Sequence, residues 1–379
     1  MTTESSIRSG LDGVVAAETR LSSVDGAAGA LLLAGFPIEE LAGRASFEET
    51  VYLLWHDALP DADQLAALRA ELADRRALPE PTLAVLRAAA VRHTPAIDAL
   101  LIAASTLRLS AGPADPANDA LTLVAAFPSI VAAYSRLTAG QEPIAPASAE
   151  LALAANYLYM LTGEAPAEAQ ARAVATYWNT VADHGLNAST FTARVIISTR
   201  SDMISAVTGA VGALKGPLHG GAPAPALDMV FEIGEAGRAE AYLRAKLERG
   251  ERLMGFGHRI YKVRDPRADV LSAAAKKLYA NGGDLGLYEL ARSVEAAALQ
   301  LLAEYKPGRS LKTNVEFYTA LLLHGLGLPP ELFTPTFALG RVAGWTAHCF
   351  EQQAAGRLIR PQSAYTGARG RKWVPVEAR

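Results

Sequence analysis

Apolar residues along this chain recur mostly at helical spacing. Leu65, Leu68 and Leu72 lie at positions i, i+3 and i+7 with charged residues between them, which predicts an amphipathic helix. Ser46 and Glu49 have the spacing of a capping box and predict where the preceding helix begins. The hydrophobic pattern therefore predicts a mainly α protein.

Prolines mark the expected ends of these helices. Pro60 should end the helix that follows the capping box, and further prolines between positions 79 and 166 divide an Ala- and Leu-rich stretch into helix-length pieces. The longest apolar run, Leu121 to Tyr134, is interrupted by Pro128 and Ser129, so it is too short for a membrane span.

Only the first 45 residues have a pattern that suits strands. Short apolar runs at Gly13-Val14-Val15 and at Leu31-Leu32-Leu33 are separated by Gly26 and Gly29, which suit turns. We expect one small N-terminal β element in an otherwise helical protein.

Two regions of the helical part differ from the rest. Residues 203–214 (MISAVTGAVGAL) are almost all small or apolar, which predicts a helix that lies deep in the core or at a subunit interface. Residues 222–325 are more charged, and the apolar pattern returns from Leu332 to Phe350. Residues 222–325 are therefore a candidate second domain.

Composition and charge exclude several classes of protein. The chain has 36 Lys and Arg against 39 Asp and Glu, a net charge of −3, so it lacks the basic excess of a general nucleic-acid binder. The single cysteine, Cys349, excludes an internal disulfide framework and Cys-based zinc sites. The first residues lack an apolar signal region. We expect a cytoplasmic protein with no membrane association.

The stretch from Gly255 to Arg267, GFGHRIYKVRDPR, concentrates residues suited to chemistry. Its Gly-x-Gly allows a ligand to approach the backbone, and His258 can exchange a proton near neutral pH. Lys262, Arg264 and Arg267 add positive charge. Together they predict a pocket for an anionic substrate beside a proton-transfer group.

Three of the seven histidines, His184, His219 and His258, lie beside glycines, and the other four lie in or beside apolar helical runs and are expected to be structural. The three have no chelating spacing, so we predict no metal site. No Gly-x-Ser-x-Gly elbow is present, and Cys349 has no activating partner. General acid–base chemistry remains, for which Glu316 is a candidate base because the apolar run after it would raise its pKa.

Four separated blocks, LKGPLHGG, MGFGHRIYKVRDPRA, NVEFY and FALGRVAGW, resemble the citrate synthase family in their order and spacing, and the resemblance extends from Gly10 to Glu377. It implies a large helical domain (1–221 and 326–379), a small helical domain (222–325) that closes over the substrate, and a homodimer. The implied function is an acyltransferase of the tricarboxylic acid cycle, which condenses acetyl-CoA with oxaloacetate and hydrolyses the thioester. No cofactor is implied, since acetyl-CoA is a substrate.

The same resemblance implies roles for individual residues. His219 would hydrogen-bond the thioester carbonyl, His258 would polarise and protonate the ketone of oxaloacetate, and Glu316 would abstract the methyl proton. The residues implied to bind oxaloacetate are His184, Asn187, Arg267, Arg341 and, from the other subunit, Arg360. Those implied to contact CoA are Leu253, Gly255, Gly257, Lys262 and Asn314.

Glu316 is a departure from the family, which usually has aspartate at this position. The extra methylene moves the carboxylate by about an ångström, and such a displacement can cost on the order of a hundredfold in rate. Either the backbone compensates or the activity is attenuated. The alternatives are a 2-methylcitrate synthase that uses propionyl-CoA, a non-catalytic binding protein, and a metal-dependent hydrolase built on His184, His219 and His258.

Overall fold

The computed structural model describes residues 9–11, 13–110, 112, 115–147, 151–220, 224–258, 260–282 and 284–379. Over these residues the chain forms sixteen α-helices and one three-stranded sheet, so the predicted mainly α fold with a small N-terminal β element is confirmed. The helices are α1 Ile38–Leu41, α2 Phe47–His56, α3 Ala62–Asp74, α4 Glu80–Val91, α5 Ala96–Thr106, α6 Pro116–Thr138, α7 Leu153–Thr162, α8 Glu168–Val181, α9 Ala188–Ser198, α10 Met203–Leu214, α11 Ala224–Ile233, α12 Ala239–Glu248, α13 Pro266–Ala280, α14 Leu285–Tyr305, α15 Val315–Gly325 and α16 Phe333–Ala355.

The sheet is an antiparallel meander of β1 (Ser22–Asp25), β2 (Ala30–Leu33) and β3 (Phe36–Pro37). In β2 the side chains of Leu31 and Leu33 are buried and Leu32 is exposed, as alternation requires. The predicted strand at Gly13-Val14-Val15 is wrong: these residues are not in a strand, all three are exposed, and Val15 is 86% exposed.

The capping box at the start of α2 is confirmed. The Glu49 backbone N–H donates to Ser46 Oγ at 3.3 Å, and the Ser46 N–H donates to the Glu49 carboxylate at 2.7 Å. The helix ends at His56 rather than continuing to Pro60, because Asp57 adopts a left-handed conformation with a φ of 61°. Pro60 therefore follows the end of the helix and does not cause it.

Pro128 lies inside α6, so the predicted break there is wrong. An internal proline costs a helix about 3 kcal/mol in a solvated context. Here the residues from Asp119 to Tyr134 are nearly all buried, and that burial offsets the lost hydrogen bond. By length and composition α6 could cross a membrane, but 78% of its most apolar window is covered by the rest of the chain, as in a core helix.

Helix α16 lies at the centre of the larger group of helices and packs against α2, α6, α8, α9 and α10. It approaches α8 very closely at Gly344, where an added Cβ would lie 2.2 Å from the carbonyl oxygen of Ala182. A larger residue would separate the two helices. This contact brings Arg341 of α16 against the end of α8.

Helices α11 to α15 pack mainly on one another, and α13 and α15 also contact α8. The predicted boundary between residues 221 and 222 lies outside the described residues. The division into two domains remains a prediction. The starts of α13 and α15 lie near α8, since the charges of Arg267 and Glu316 act on the pKa of Tyr177 in α8.

Candidate active site

The loop from Gly255 to Arg267 is joined to the start of α15 by backbone pairing. Gly257 N–H donates to Lys312 O at 2.7 Å, and Asn314 N–H donates to Gly255 O at 3.0 Å. Gly255 has a φ of 86°, and an added Cβ would lie 2.8 Å from the Phe317 ring, so this position requires glycine. The pairing holds the loop beside the first turn of α15.

His258 lies on this loop with its ring orientation fixed by the backbone. Its Nδ1 accepts hydrogen bonds from the N–H groups of Ile260 and Tyr261, both at 3.1 Å. The neutral ring therefore carries its hydrogen on Nε2, which lies 3.5 Å from Arg267 Nη2. Burial, followed by the Arg267 charge, lowers the pKa of His258 to about 4, so at neutral pH the ring is an uncharged donor.

Arg267 is buried and held by a bidentate contact with Asp265, with Nε to Oδ1 at 3.0 Å and Nη2 to Oδ2 at 2.8 Å. Burial alone would lower the pKa of Arg267, but the Asp265 carboxylate more than offsets it and the pKa is raised. The guanidinium also lies over the Tyr261 ring, 5.8 Å from its centroid. Arg267 is therefore a fixed cation beside His258.

Arg341 is equally buried but differently held. Its Nε donates to the carbonyl oxygen of Val181, and its guanidinium lies 4.7 Å from the centroid of the Phe337 ring. Within the described part of the chain it has no carboxylate at ion-pairing distance. Burial lowers the pKa of Arg341 to about 10, so it remains charged at neutral pH. A buried cation in this state suits an anionic ligand.

His184 lies between these groups. Its Nε2 is 3.0 Å from the hydroxyl of Tyr261, and its ring centroid is 5.8 Å from that of His258. Burial, followed by the charges of Arg267 and Arg341, holds the pKa of His184 well below its ordinary value. The ring is neutral and can hydrogen-bond a ligand without adding charge.

The turn that carries His184 is fixed by the buried carboxylate of Asp183. This carboxylate accepts from Ser22 Oγ at 2.5 Å and from the Gly185 N–H at 3.3 Å, and it lies 3.2 Å from His348 Nε2. Burial raises the pKa of Asp183, but His348 and the other donors more than offset this and the pKa is lowered. His348 is therefore structural, as expected from its apolar sequence context.

The ring of His219 is held in place by Ser189. Its Nε2 lies 3.3 Å from the Ser189 backbone nitrogen and 2.8 Å from Ser189 Oγ, and Oγ also accepts from Trp345 Nε1. These contacts occupy Nε2 and leave Nδ1 for a ligand. Burial, followed by the Arg341 charge, lowers the pKa of His219 to about 4.

Glu316 lies in the first turn of α15, where the side chain of the N-cap residue Asn314 accepts from its backbone N–H at 3.0 Å. Burial raises the pKa of Glu316 to about 7, and the Arg267 charge opposes that rise. The expectation that the apolar surroundings raise this pKa agrees with the structure. A carboxyl with this pKa can accept a proton at neutral pH.

Six of the predicted residues lie close enough together to affect one another's ionisation. The charge of Arg267 acts on the pKa values of His184, His258 and Glu316, and the charge of Arg341 acts on those of His184 and His219. We call these residues the site cluster: His184, His219, His258, Arg267, Glu316 and Arg341.

Other predicted residues lie at the edge of the cluster or away from it. Asn187 caps α9, accepting from Thr190 N–H and Ser189 Oγ, and one of its amide hydrogens goes to Gly185 O. Leu253 is buried, and Lys262 is exposed with its backbone N–H bonded to Gly26 O.

Arg360 is exposed on the C-terminal segment and lines a surface cavity of about 880 Å³ that includes no member of the site cluster. Among the described residues of this chain, Arg360 forms no hydrogen bond or ion pair with a member of the cluster.

Several residues of the site were not identified from the sequence. Tyr261, Asp265, Asp183 and Ser189 hold members of the cluster, and the only local sign was that Asp183 adjoins His184 and Asp265 begins an Asp-Pro helix start. A fifth residue, Tyr177 of α8, has no feature in the sequence that would have predicted its place in the site. Its buried hydroxyl has no hydrogen-bond partner among the described residues, and the charges of Arg341 and Glu316 act on its pKa, which burial raises.

The structure offers neither a metal site among the described residues nor a reactive cysteine. Over the residues that the structure describes, no group of three or more His, Cys, Asp or Glu side chains could hold a metal ion. Burial raises the pKa of Cys349 to about 12, so its thiol stays protonated.

Comparison with known proteins agrees with this arrangement. The family model described as citrate synthase, C-terminal domain, matches residues 10–362. The chain belongs to the citrate synthase family. The resemblance found in the sequence motifs, and with it the prediction of an acyltransferase, is confirmed at the level of the family.

Relatives within the citrate synthase family match over nearly their whole length. Citrate synthase 2 of Bacillus subtilis is 42% identical, with 98% of each chain covered. The 2-methylcitrate synthase of Shewanella oneidensis is 38% identical, covering 98% of this chain and 97% of its own. A solved complex of Thermoplasma acidophilum citrate synthase with carboxymethyl coenzyme A and oxaloacetate aligns with a TM-score of 0.86 at 29% identity, covering 96% and 97%.

Proposed function

We propose that the protein is a citrate synthase that joins the methyl carbon of acetyl-CoA to the ketone carbon of oxaloacetate and then hydrolyses the thioester. The observation that carries this proposal is the convergence of a base and neutral donors on two buried arginines. Glu316 has a pKa of about 7, His219 and His258 are uncharged, and Arg341 has no carboxylate partner among the described residues.

Oxaloacetate carries two carboxylates, and guanidinium groups bind carboxylates with two parallel hydrogen bonds. In the proposed complex Arg267 and Arg341 bind one carboxylate each. His258 Nε2–H then donates to the ketone oxygen, and His184 adds a hydrogen bond from the far side. The ternary complex of the Thermoplasma acidophilum relative supports the choice of ligands, since it contains oxaloacetate and a CoA analogue.

The acetyl methyl group is a very weak carbon acid, so its deprotonation needs a base together with donors at the thioester oxygen. In the proposed reaction Glu316 takes a methyl proton while His219 Nδ1–H stabilises the enolate oxygen. The enolate carbon then attacks the ketone carbon, and the new alkoxide takes the Nε2 proton of His258. The proton that Glu316 took is released to solvent and His258 regains one from solvent, so both groups return to their starting states. Water cleaves the thioester to give citrate and free CoA.

A homodimer is part of the proposal. The C-terminal segment that bears Arg360 is extended and exposed, with Trp373 80% and Tyr365 63% exposed. In α10, Thr208 and Ala213 are only half-buried although the helix is almost entirely small or apolar. A second copy would cover these surfaces, and Arg360 of the partner subunit would complete the oxaloacetate site.

Release of free CoA thiol from acetyl-CoA and oxaloacetate tests the activity. The wild-type chain should release one thiol for each citrate formed, and Glu316→Gln should lose activity by about a thousandfold or more, since it removes the base. A folded wild-type protein that binds oxaloacetate but releases no thiol would support the non-catalytic alternative.

A second activity, 2-methylcitrate synthesis from propionyl-CoA, is favoured by the relative of that name at 38% identity. The two activities differ by one methylene on the acyl group, which is worth about 10- to 200-fold in selectivity. The ratio of kcat/KM for acetyl-CoA to that for propionyl-CoA decides between them. A ratio below one would mean that the protein is a 2-methylcitrate synthase rather than a citrate synthase.

A further inference from the structure

The buried carboxylate of Glu295, on α14, accepts four side-chain hydrogen bonds and is only 4% exposed. Its Oε1 accepts from Arg264 Nη1 at 2.5 Å and from Thr313 Oγ1 at 2.6 Å. Its Oε2 accepts from the Tyr318 hydroxyl at 2.5 Å and from Arg292 Nη1 at 3.3 Å. All the acceptor capacity of this carboxylate is therefore used inside the protein.

Three of the four donors belong to the two segments that bear the proposed catalytic groups, and the fourth, Arg292, lies on α14 itself. Arg264 lies on the loop between His258 and Arg267, while Thr313 lies three residues before Glu316. Arg264 Nη1 also donates to Thr313 Oγ1 at 3.1 Å, so the three side chains form a closed triangle. One carboxylate thus connects the loop of His258 to the helix start of Glu316.

Among the described residues, three backbone hydrogen bonds join these segments. They consist of the Gly257–Lys312 and Asn314–Gly255 bonds described above and one from Asp265 N–H to Thr313 O at 3.2 Å. Two side-chain hydrogen bonds also join the segments, from Asn314 Nδ2 to Gly257 O at 2.9 Å and from Ser310 Oγ to Lys262 O. Without the Glu295 triangle, these hydrogen bonds and the packing around them would remain, among the described residues, to keep the base at its distance from His258.

We propose that Glu295 is a positioning residue, which holds the His258 loop and the first turn of α15 at the separation that the reaction needs. This inference rests on the proposed function, and it gives an otherwise remote carboxylate a role in it. A buried ion pair is a weak source of stability but fixes geometry well. Since a displacement of about an ångström can cost on the order of a hundredfold in rate, the expected effect is on kcat.

Three variants test the triangle, with a fourth as control. Glu295→Gln keeps the shape but places an amide that cannot accept where an oxygen was. Thr313→Val removes one donor without changing volume, and Thr313→Ser restores it. Glu304→Gln is the matched control, because Glu304 lies on the same helix and its carboxylate pairs with Arg244 at 2.8 Å on the surface, where it is 52% exposed.

We expect Glu295→Gln and Thr313→Val to lower kcat by about 10- to 100-fold, while the affinity for oxaloacetate measured by calorimetry changes by less than about threefold. Thr313→Ser should recover most of the lost rate, and Glu304→Gln should stay within about twofold of wild type. A loss of folded, oxaloacetate-binding protein with unchanged kcat per binding site would overturn the proposal, because it would show a merely structural role. A wild-type kcat in both Glu295→Gln and Thr313→Val would also overturn the proposal.

Amide hydrogen exchange separates this inference from the proposed function. If the wild-type chain released no thiol, the function would fail, yet Thr313→Val should still accelerate exchange at Gly257 and Asn314 relative to wild type, and Glu304→Gln should not. Unchanged exchange at both amides would refute the connection that Glu295 is proposed to make.

Discussion

Replacing Glu316 by Gln should change the pH dependence of stability as well as activity. Burial raises the pKa of Glu316 from 4.5 to about 7. Between these values the folded protein holds a proton that the unfolded chain has released. The stability contribution is therefore fully present below pH 4.5 and is lost as the pH rises through about 7. A pKa difference of about 2.5, at about 1.4 kcal/mol per unit, amounts to about 3 kcal/mol.

Glutamine has nearly the same shape and no charge, so Glu316→Gln should escape this loss. We expect urea unfolding from pH 5 to 8.5 to show that the free energy of unfolding of the variant rises relative to that of the wild type. The difference should be small at pH 5 and about 3 kcal/mol at pH 8.5. His219 and His258 contribute with the opposite sign between about pH 4 and 6.5, because their pKa values are lowered, but they are present in both proteins and cancel.

Activity should follow the same ionisation. The kcat/KM of the wild type should rise with pH and level off above about 7, since Glu316 must be ionised to act as a base. Glu316→Asp keeps an ionisable group and is the control that should retain both a pH-dependent stability difference and a pH-dependent rate. A difference in stability between wild type and Glu316→Gln that stays flat with pH would refute the reasoning, because it would mean that the carboxyl is solvated.

Three further predictions concern other groups of the site. Arg341→Met should leave the free protein as stable or more stable, since it replaces a buried cation that has no carboxylate at ion-pairing distance among the described residues by an apolar chain, while the KM for oxaloacetate in steady-state assays rises by about a hundredfold or more. Tyr177→Phe should stabilise the free protein by up to about 1 kcal/mol in urea unfolding, because its buried hydroxyl has no partner among the described residues. Arg360→Ala and Glu316→Gln subunits, each nearly inactive alone, should recover about a quarter of wild-type activity when refolded together, since mixed dimers would contain one complete site.

Much of the fold could be predicted because many of its determinants are local. The capping box of Ser46 and Glu49 acts over three residues, and helical periodicity identified α3 without knowledge of its neighbours. The errors occurred where tertiary contacts decide. Pro128 is tolerated because α6 is surrounded by other helices, and the apolar run at Gly13-Val14-Val15 remains exposed and is not a strand.

The site shows the same division between local and long-range information. His258 and Arg267 were found because they share one short stretch, and Glu316 because an apolar run follows it. Glu295 was not found, since in the sequence it is one more charged residue of an amphipathic helix. Its importance depends on contacts with Arg264, 31 positions away, which no local pattern contains. Sequence thus predicted the groups proposed to react better than those that position them.

Four unusual ionisations in the site share their largest cause, which is burial of the ionisable group. Burial leaves His219 and His258 uncharged, brings the pKa of Glu316 to about 7 and leaves Arg341 charged without a carboxylate partner among the described residues. Each is unfavourable in the free protein. A bound dianion would pair with the arginines and shield Glu316 and the histidines from their charge, which would raise the basicity of Glu316 at the moment when the proposed reaction needs a base. The same burial that destabilises the empty site would thus couple oxaloacetate binding to proton abstraction from the second substrate.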